Sequence, residues 1–258
     1  MDLGLKGKTA IITGGATGIG EAAALLFLQE GCNVAVCGRR QEKLNEFLVK
    51  VGDFGYSKVY AKSVDVSTTG EIYEFVDEVA AKFGTVDILV NNAGGGLHSS
   101  LMDVDEEGWN RIVNLNLMGT WRGCKAVYPY MKGKGGTIIN ISSFATVIPS
   151  ADNGLYNITK SGINSLTKTL AAEIAKDNIR VNGIIPGRIE TPMTTVANAK
   201  DMEFFTDPIA LGRLGYPEDL AGGIVFLCSD YAKYITGELL VISGGKYLVQ
   251  NQAEFEGR

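Results

Sequence analysis

The sequence predicts an α/β fold in which a parallel sheet of seven strands is covered by helices on both faces, a doubly wound arrangement. Two observations support this prediction. Short apolar, β-branched runs alternate with longer segments of helical periodicity, which is typical of a parallel sheet. The 258 residues are 45% hydrophobic, enough for one sizeable core, and no linker or internal repeat divides them. We therefore expect a single domain over residues 1–258.

The elements follow one another in a regular order. An apolar run at residues 9–13 opens the chain, and the helical pattern behind it ends at Gly31. The next apolar stretch ends at Gly38, and the alternation continues to the last strand. Expected strands span residues 9–13, 33–38, 58–64, 86–91, 136–142, 180–186 and 239–243, and expected helices span 21–30, 41–51, 69–83, 106–132, 154–176 and 217–229. Residues 191–215 have weak periodicity and are predicted to form a substrate lid, and residues 246–258 form a C-terminal tail.

Composition excludes several function classes. The net charge of −5 has interspersed signs, so we expect neither a nucleic-acid surface nor binding to an anionic membrane. No apolar run approaches the ~20 residues of a membrane helix, and the first residues lack the features of a signal peptide. Four scattered cysteines indicate reduced thiols of a cytoplasmic protein. His98 is the only histidine and no Cys/His cluster has metal spacing, so we expect no metal site.

A glycine-rich turn joins the first strand to the first helix. The stretch from Thr13 to Gly20 contains Gly14, Gly18 and Gly20, with Thr17 and Ile19 between them. Such a turn presents backbone N–H groups and the positive end of a helix dipole, and both suit a pyrophosphate. Its glycines allow a tight turn and close packing of helix on strand. Taken alone, a run of this kind also occurs in ordinary turns.

Tyr156 and Lys160 are four residues apart in a predicted helix, so they share one face. A free phenol has a pKa of about 10, and a nearby ammonium lowers it, so the pair could act as a general acid/base. The same spacing often arises by chance. Ser143 lies thirteen residues upstream at the end of an apolar strand, where a hydroxyl could hold a substrate carbonyl. Asn116 lies on a long predicted helix that would run beside the first.

Together these motifs resemble the classical short-chain dehydrogenase/reductase family over nearly the whole chain. The resemblance implies a Rossmann-like fold. Its motifs are the glycine turn, Asp65-Val66 after the third strand, Asn91-Asn92-Ala93-Gly94 after the fourth, the tetrad Asn116, Ser143, Tyr156 and Lys160, and the segment Pro186-Gly187-Arg188-Ile189-Glu190-Thr191. It also implies that these segments bind the cofactor, through Gly14, Thr17, Gly18, Ile19, Gly20, Asp65, Val66, Asn92, Ala93, Gly94, Pro186, Gly187, Ile189 and Thr191, with Tyr156 and Lys160.

The resemblance implies a role for each member of the tetrad. Tyr156 would protonate the carbonyl oxygen in reduction or take the proton in oxidation. Lys160 would lower the pKa of the phenol and hold the nicotinamide ribose. Ser143 would orient and polarise the substrate oxygen, and Asn116 would support a water that relays protons toward Lys160. Ser142 is the alternative to Ser143, and the spacing to Tyr156 favours Ser143.

The choice of nicotinamide depends on the end of the second strand. Enzymes that prefer NAD commonly place an acidic residue there to bind the ribose 2′-OH. Here Gly38 is followed by Arg39 and Arg40, whose guanidinium groups suit a phosphate. We therefore expect NADP(H) as the preferred cofactor, with NAD(H) possible. Two observations weaken this choice: the arginines could simply be solvated, and Thr17 stands where many NADP enzymes of the family carry a second basic residue.

By resemblance, the substrate pocket follows the fourth, fifth and sixth strands. Its expected lining residues are Gly96, His98, Phe144, Leu155, Arg188, Met193 and Phe205. His98 could equally be a surface residue without a role, and Arg188 could pair with Glu190. The expected reaction is hydride transfer to or from a secondary alcohol or ketone, of 3-oxoacyl type or a cyclic or steroid ketone. The alternatives are a sugar or polyol dehydrogenase that uses NAD(H), or a non-catalytic dinucleotide sensor.

Two long predicted helices, at residues 106–132 and 154–176, carry apolar residues on more than one face. A helix that is apolar on several faces is buried on several faces, and the sheet can cover only one of them. In the family these helices pair with their copies across a two-fold axis. We therefore expect a homo-oligomer, a dimer at minimum and a tetramer by resemblance.

Overall fold

A parallel sheet organises the chain. The structure is a computed structural model that describes residues 2–191, 206, 208–246 and 248, with the side chain of residue 56 excepted. In this part of the chain the sheet has seven strands in the order β3-β2-β1-β4-β5-β6-β7, and every pair is parallel. The strands are β1 Thr9–Thr13, β2 Asn33–Gly38, β3 Val59–Ser63, β4 Ile88–Asn91, β5 Gly136–Ile141, β6 Ile179–Pro186 and β7 Leu239–Ile242. This confirms the predicted fold class.

The helices connect successive strands. They are α1 Gly18–Gln29, α2 Gln41–Lys50, α3 Glu71–Phe83, α4 Glu106–Val113, α5 Gly119–Met131, α6 Gly154–Ile174 and α7 Pro217–Cys228. Two differ from expectation. Helix α1 begins three residues earlier, at Gly18 inside the glycine turn. The segment expected to be one helix over residues 106–132 is divided, because a π-helical turn, Asn114–Met118, separates α4 from α5.

Two cores flank the sheet. Side chains of a strand alternate between its faces, so Ile12 packs with α1, α2 and α7, whereas Ile11 packs with α3 and α5. Val34 and Ala35 divide between the two cores in the same way.

All four cysteines, Cys32, Cys37, Cys124 and Cys228, are buried free thiols, and burial raises the pKa of each to about 12. Among the described residues, no helix combines the length and hydropathy of a membrane span.

The topology determines where a ligand can bind. Strand order reverses between β1 and β4, because the chain leaves β1 toward β2 on one side and returns to β4 on the other. Connections diverge at such a point and leave a crevice beyond the carboxyl ends of the strands. The glycine turn after β1 and the Asn92–Gly94 segment after β4 both lie at this crevice.

Candidate active site

A cavity of about 610 Å³ lies at the carboxyl ends of the strands. It brings together residues that are distant in sequence. Of the residues predicted to bind the cofactor or to act in catalysis, those in its wall are Gly14, Thr17, Gly18, Ile19, Arg39, Arg40, Asp65, Val66, Asn92, Ala93, Gly94, Ser143, Tyr156, Lys160, Pro186, Gly187, Ile189 and Thr191. Gly20 and Asn116 are not in the wall, and they support it from behind.

The glycine turn forms one end of the cavity. Gly14 and Gly18 have φ values of 63° and 56°, a left-handed conformation that favours glycine. The Asn92 side chain donates from Nδ2 to the carbonyl oxygens of Thr13 and Gly14, at 3.1 Å each. Gly20 packs so closely that an added Cβ would collide with the carbonyl oxygen of Gly14. The amide of Asn92 therefore locks the turn in position.

Helix α1 begins at this turn. Its N-cap, Thr17, makes no side-chain capping bond, so the first N–H groups of the helix stay available to a ligand. The positive end of the helix dipole points the same way. Close backbone approach, open N–H groups and this dipole together fit the pyrophosphate of a dinucleotide.

Three basic side chains surround the far end of the cavity. Arg39 and Arg40 are exposed in the loop after β2, and Nη2 of Arg40 lies 3.4 Å from the Thr17 hydroxyl oxygen. Lys43, which was not predicted from the sequence, also lines the cavity and pairs with Glu46 at 2.7 Å. Its signal was its place in the first turn of α2, directly after the loop that carries Arg39 and Arg40. This cluster of positive charge fits a 2′-phosphate.

The tetrad residues meet around Tyr156. The Ser143 hydroxyl lies beside the Tyr156 phenol. Lys160 is only 4% exposed, and its Nζ donates to the Ile141 carbonyl oxygen at 2.7 Å. The same Nζ lies 5.6 Å from the centroid of the Tyr156 ring. Helix α6 therefore places the lysine behind the tyrosine, as the spacing of four residues predicted.

Burial dominates the protonation of the pair. Burial raises the pKa of Tyr156, and the neighbouring Ser143 hydroxyl offsets only part of this rise. Burial also lowers the pKa of Lys160, to about 8. The loss of water dominates the pKa of the phenol, and the expectation that Lys160 lowers this pKa stays a prediction.

Two neighbouring serines point in different directions. Ser142 is buried and its hydroxyl donates to the Lys160 carbonyl oxygen at 3.4 Å. Ser143 begins a short 3₁₀ turn, where its hydroxyl accepts from the Ala145 N–H at 3.1 Å and lies beside the Tyr156 phenol. Ser143 therefore presents its hydroxyl beside the phenol, whereas Ser142 holds helix α6 against β5.

Asn116 lies behind the cavity wall, fully buried in the π-helical turn. Its Oδ1 accepts from the Gly95 N–H and its Nδ2 donates to the Gly95 carbonyl and to the Thr159 hydroxyl, all at 2.9 Å. An added Cβ at Gly94 would lie 3.1 Å from Asn116 Oδ1 and 3.4 Å from Lys160 Nζ. The small residue at position 94 thus leaves Asn116 and Lys160 close to each other. A π turn in a helix is frequently found at a functional site.

The residues predicted to line the substrate pocket are more dispersed. Leu155 is fully buried inside the protein, so neither cavity receives its side chain. Phe144 lines a second cavity of about 630 Å³, with Val147, Ile148 and Val241. His98 is exposed and pairs with Asp152 at 3.2 Å. Gly96 packs on Asn153, and the Arg188 carbonyl accepts a hydrogen bond from the Gly215 N–H. Met193, Phe205 and most of the expected lid and tail lie outside the described residues.

Comparison with known proteins agrees with this geometry. The family model described as enoyl-(acyl carrier protein) reductase matches residues 14–246. A 3-oxoacyl-[acyl-carrier-protein] reductase of Thermotoga maritima is 41% identical over 242 residues, 93% of this chain and 98% of that protein. The chain belongs to the short-chain dehydrogenase/reductase family. Its members transfer hydride with a nicotinamide cofactor, and this protein is accordingly an NAD(P)-dependent oxidoreductase.

Other relatives in this family carry different substrate names. A 3α-hydroxysteroid dehydrogenase of Mediterraneibacter gnavus is 37% identical over 246 residues, 95% of this chain and 98% of that protein. A short-chain dehydrogenase/reductase from Brucella melitensis, described as a glucose/ribitol dehydrogenase, superposes with a TM-score of 0.90 at 32% identity and covers 96% of this chain and all of that one. A short-chain dehydrogenase from Bacillus anthracis gives 0.88 at 36% identity, covering 96% of this chain and 99% of that one.

Proposed function

We propose that this protein is an NADP(H)-dependent oxidoreductase that interconverts a secondary alcohol and a ketone, with Tyr156 as the acid/base. The observation that carries the proposal is that Ser143, Tyr156 and the buried Lys160 line one cavity, with the Lys160 Nζ 5.6 Å from the centroid of the Tyr156 ring. Phenol, hydroxyl and ammonium converge where a carbonyl oxygen could receive a proton. A positioned acid of this kind contributes about 10²–10⁴ in rate.

Each part of the cavity would hold one part of the cofactor. The turn at Gly14–Gly20 and the start of α1 would bind the pyrophosphate. Arg39, Arg40 and Lys43 would bind the 2′-phosphate of NADP(H), which NAD(H) lacks. The segment from Pro186 to Thr191 would hold the nicotinamide side. When bound, the cofactor supplies or accepts the hydride.

The side chains of the tetrad would carry the proton and orient the substrate. In reduction, Tyr156 donates its proton to the carbonyl oxygen, and the hydroxyl of Ser143 holds that oxygen beside the phenol. Lys160 in its charged form stabilises the phenolate that results, because opposite charges attract strongly where water is excluded. Asn116 orients a water that returns a proton toward Lys160. Burial keeps the phenol protonated before reaction, which suits reduction.

We propose a 3-oxoacyl thioester, or a cyclic or steroid ketone, as the substrate class. The support is the activity for which the relatives from Thermotoga and Mediterraneibacter are named, together with the second cavity, which Phe144, the residue after Ser143, lines. Most of that cavity's wall is apolar and includes Phe144, Val147, Ile148 and Val241, while Ser243 and Lys246 add two polar side chains. A second candidate, a sugar or polyol dehydrogenase, is favoured by the likeness to the Brucella glucose/ribitol dehydrogenase. An apolar wall offers few partners for sugar hydroxyls, so we rank it second.

We propose a homotetramer, with a dimer as the minimum. Trp109 on α4 and Trp121 on α5 are 40% and 36% exposed, and Ile158 on α6 is exposed as well. Large apolar side chains at the surface of adjacent helices indicate a face that a second copy covers. We further propose a single catalytic domain over residues 1–258, with the lid at 191–215, the tail at 246–258 and a cytoplasmic location, which the buried free thiols support.

A substrate panel tests the proposed function. The purified protein is assayed with NADPH and with NADH against 3-oxoacyl thioesters, cyclic and steroid ketones, and keto sugars. We expect turnover of an apolar ketone with a higher kcat/KM for NADPH than for NADH. Turnover confined to sugars with NADH would favour the second candidate. Absence of turnover despite tight NADPH binding would favour a dinucleotide sensor.

A further inference from the structure

Arg122 is a buried arginine that the mechanism above does not use. It lies on α5 and is 7% exposed. Its Nη1 donates to the carbonyl oxygens of Ser67 at 3.0 Å, Val66 at 3.4 Å and Asn114 at 3.5 Å. Its Nη2 donates to Asn114 Oδ1 at 3.2 Å. Within the described residues no carboxylate pairs with it, although buried charges are usually paired.

The partners of Arg122 belong to two different parts of the active site. Val66 and its neighbour Asp65 line the cavity on the side where the adenine would lie. Asn114 begins the π-helical turn that holds Asn116. Arg122 therefore joins the loop after β3 to that turn through a single guanidinium.

The two parts also touch directly. An added Cβ at Gly119, the first residue of α5, would lie 3.2 Å from the Val66 carbonyl oxygen and 3.1 Å from Val66 Cγ2. The π turn is fixed at its other end by Thr120, whose hydroxyl donates to the Asn116 carbonyl at 2.7 Å. Movement of the Val66 loop would therefore be transmitted to the turn that holds Asn116.

We propose that Arg122 is a positioning residue that holds the Val66 side of the cavity and the buried amide of Asn116 in one fixed relation. This inference rests on the proposed roles of Val66 and Asn116. The planar guanidinium bonds several oxygens in a fixed fork, which the ammonium of lysine cannot reproduce. Because its partners are neutral oxygens, its stabilisation comes from the geometry of four hydrogen bonds and not from an ion pair.

Arg122→Lys is the first test, with NADPH affinity measured by fluorescence and kcat measured with a turned-over ketone. We expect the Kd for NADPH to rise and kcat to fall, each by about tenfold, since small displacements of positioning groups cost this much or more.

Arg180→Lys is the matched control. Arg180 lies on β6 outside the cavity wall and also bonds neutral oxygens, the Ile235 carbonyl at 3.2 Å and the Thr137 hydroxyl at 3.0 Å. It should lower the melting temperature and leave Kd and kcat unchanged.

A double-mutant cycle separates positioning from general destabilisation. In an Asn116→Ala background, the Arg122→Lys change should lose most of its effect on kcat but keep its effect on the Kd for NADPH. Asn114→Ala, which removes one acceptor at the π turn, should lower kcat alone. The proposal is overturned if Arg122→Lys behaves like Arg180→Lys, or if its effect on kcat is unchanged by the loss of Asn116.

The proposed function and this inference can fail separately. If the wild-type protein turns over no ketone, the proposed function fails. The NADPH affinity of Arg122→Lys still tests whether Arg122 holds the Val66 side of the cavity in place. If the wild type is active and Arg122→Lys binds NADPH normally with normal kcat, only the positioning role fails.

Discussion

Lys160→Met is expected to make the ligand-free protein more stable at pH 7 while it abolishes turnover. The lysine is 4% exposed, and within the described residues its ammonium has no carboxylate partner. Methionine is similar in length and carries no charge, so it fills the same space without the cost of burying an ion. Stability and activity should therefore change in opposite directions at this site.

The size of the effect follows from two terms. Burial lowers the pKa of Lys160 from 10.5 to about 8. The difference between these two pKa values corresponds to roughly 3 kcal/mol of free energy of unfolding, which the charged lysine costs at pH 7. The substitution also leaves the Ile141 carbonyl without its donor, at a cost of about 1–2 kcal/mol. The net gain in stability at pH 7 is therefore about 1–2 kcal/mol.

The pH dependence has a definite sign. A lysine whose pKa is lower in the folded state binds fewer protons there than in the unfolded state, so the wild-type protein gains stability as pH rises from about 8 to 10.5. The methionine variant lacks this gain. Its advantage should shrink across that interval and reverse near the upper end, where only the lost hydrogen bond remains.

Urea denaturation at pH 7, 8.5 and 10, at matched protein concentration, measures the difference. Lys168→Met is the control, because Lys168 is exposed on the same helix, and it should change stability by less than about 0.5 kcal/mol at every pH. A Lys160→Met protein that is less stable than wild type at pH 7, or a difference that does not vary with pH, would refute the claim that Lys160 is a buried, unpaired cation.

Three further predictions concern the cofactor, the proton and the assembly. Arg39→Ala should weaken NADPH binding by about 1.5–3 kcal/mol in calorimetry and leave NADH binding unchanged, because charged hydrogen bonds contribute that much; equal losses for both cofactors would contradict a contact with the 2′-phosphate. In the reductive direction kcat/KM should fall above about pH 8, where Lys160 loses its proton while the raised pKa of Tyr156 keeps the phenol protonated; a profile flat to pH 10 would exclude the ammonium. Light scattering at micromolar concentration should give a multiple of 27.6 kDa, and a species at 27.6 kDa would refute the oligomer.

The strands were predictable because their signal is local. The apolar runs at Thr9–Thr13 and Asn33–Gly38 are bounded by turn residues and match the observed strands residue for residue. The start of α1 was placed too late, since Gly18 and Gly20 have low helix propensity, Gly18 has a left-handed φ of 56°, and Gly20 packs closely on Gly14 and Asn92. Tertiary contacts decided that boundary.

The division between α4 and α5 could not be predicted from the sequence. The apolar periodicity runs without a break through Asn114–Met118, so the pattern indicates one helix. The π turn depends on distant partners: Asn116 bonds Gly95 and Thr159, and Asn114 bonds Arg122. A pattern of residues along one segment holds no information about such contacts.

Within the site, spacing predicted proximity better than it predicted protonation. Tyr156 and Lys160 lie together as their separation of four residues required. The direction of the pKa change of Tyr156 depends on how deeply the phenol is buried, which the sequence does not state. Leu155 shows the same limit, because its burial inside the protein follows from the packing of α6 as a whole.

Single-turnover hydride transfer in Tyr156→Phe tests the central claim most directly. The change removes the transferable proton and keeps the ring, so NADPH should bind as in the wild type. With a ketone that the wild type reduces, rapid mixing of NADPH-loaded protein should show oxidation of NADPH slowed by about 10²–10⁴. A transfer rate close to that of the wild type would contradict the assignment of Tyr156 as the acid/base.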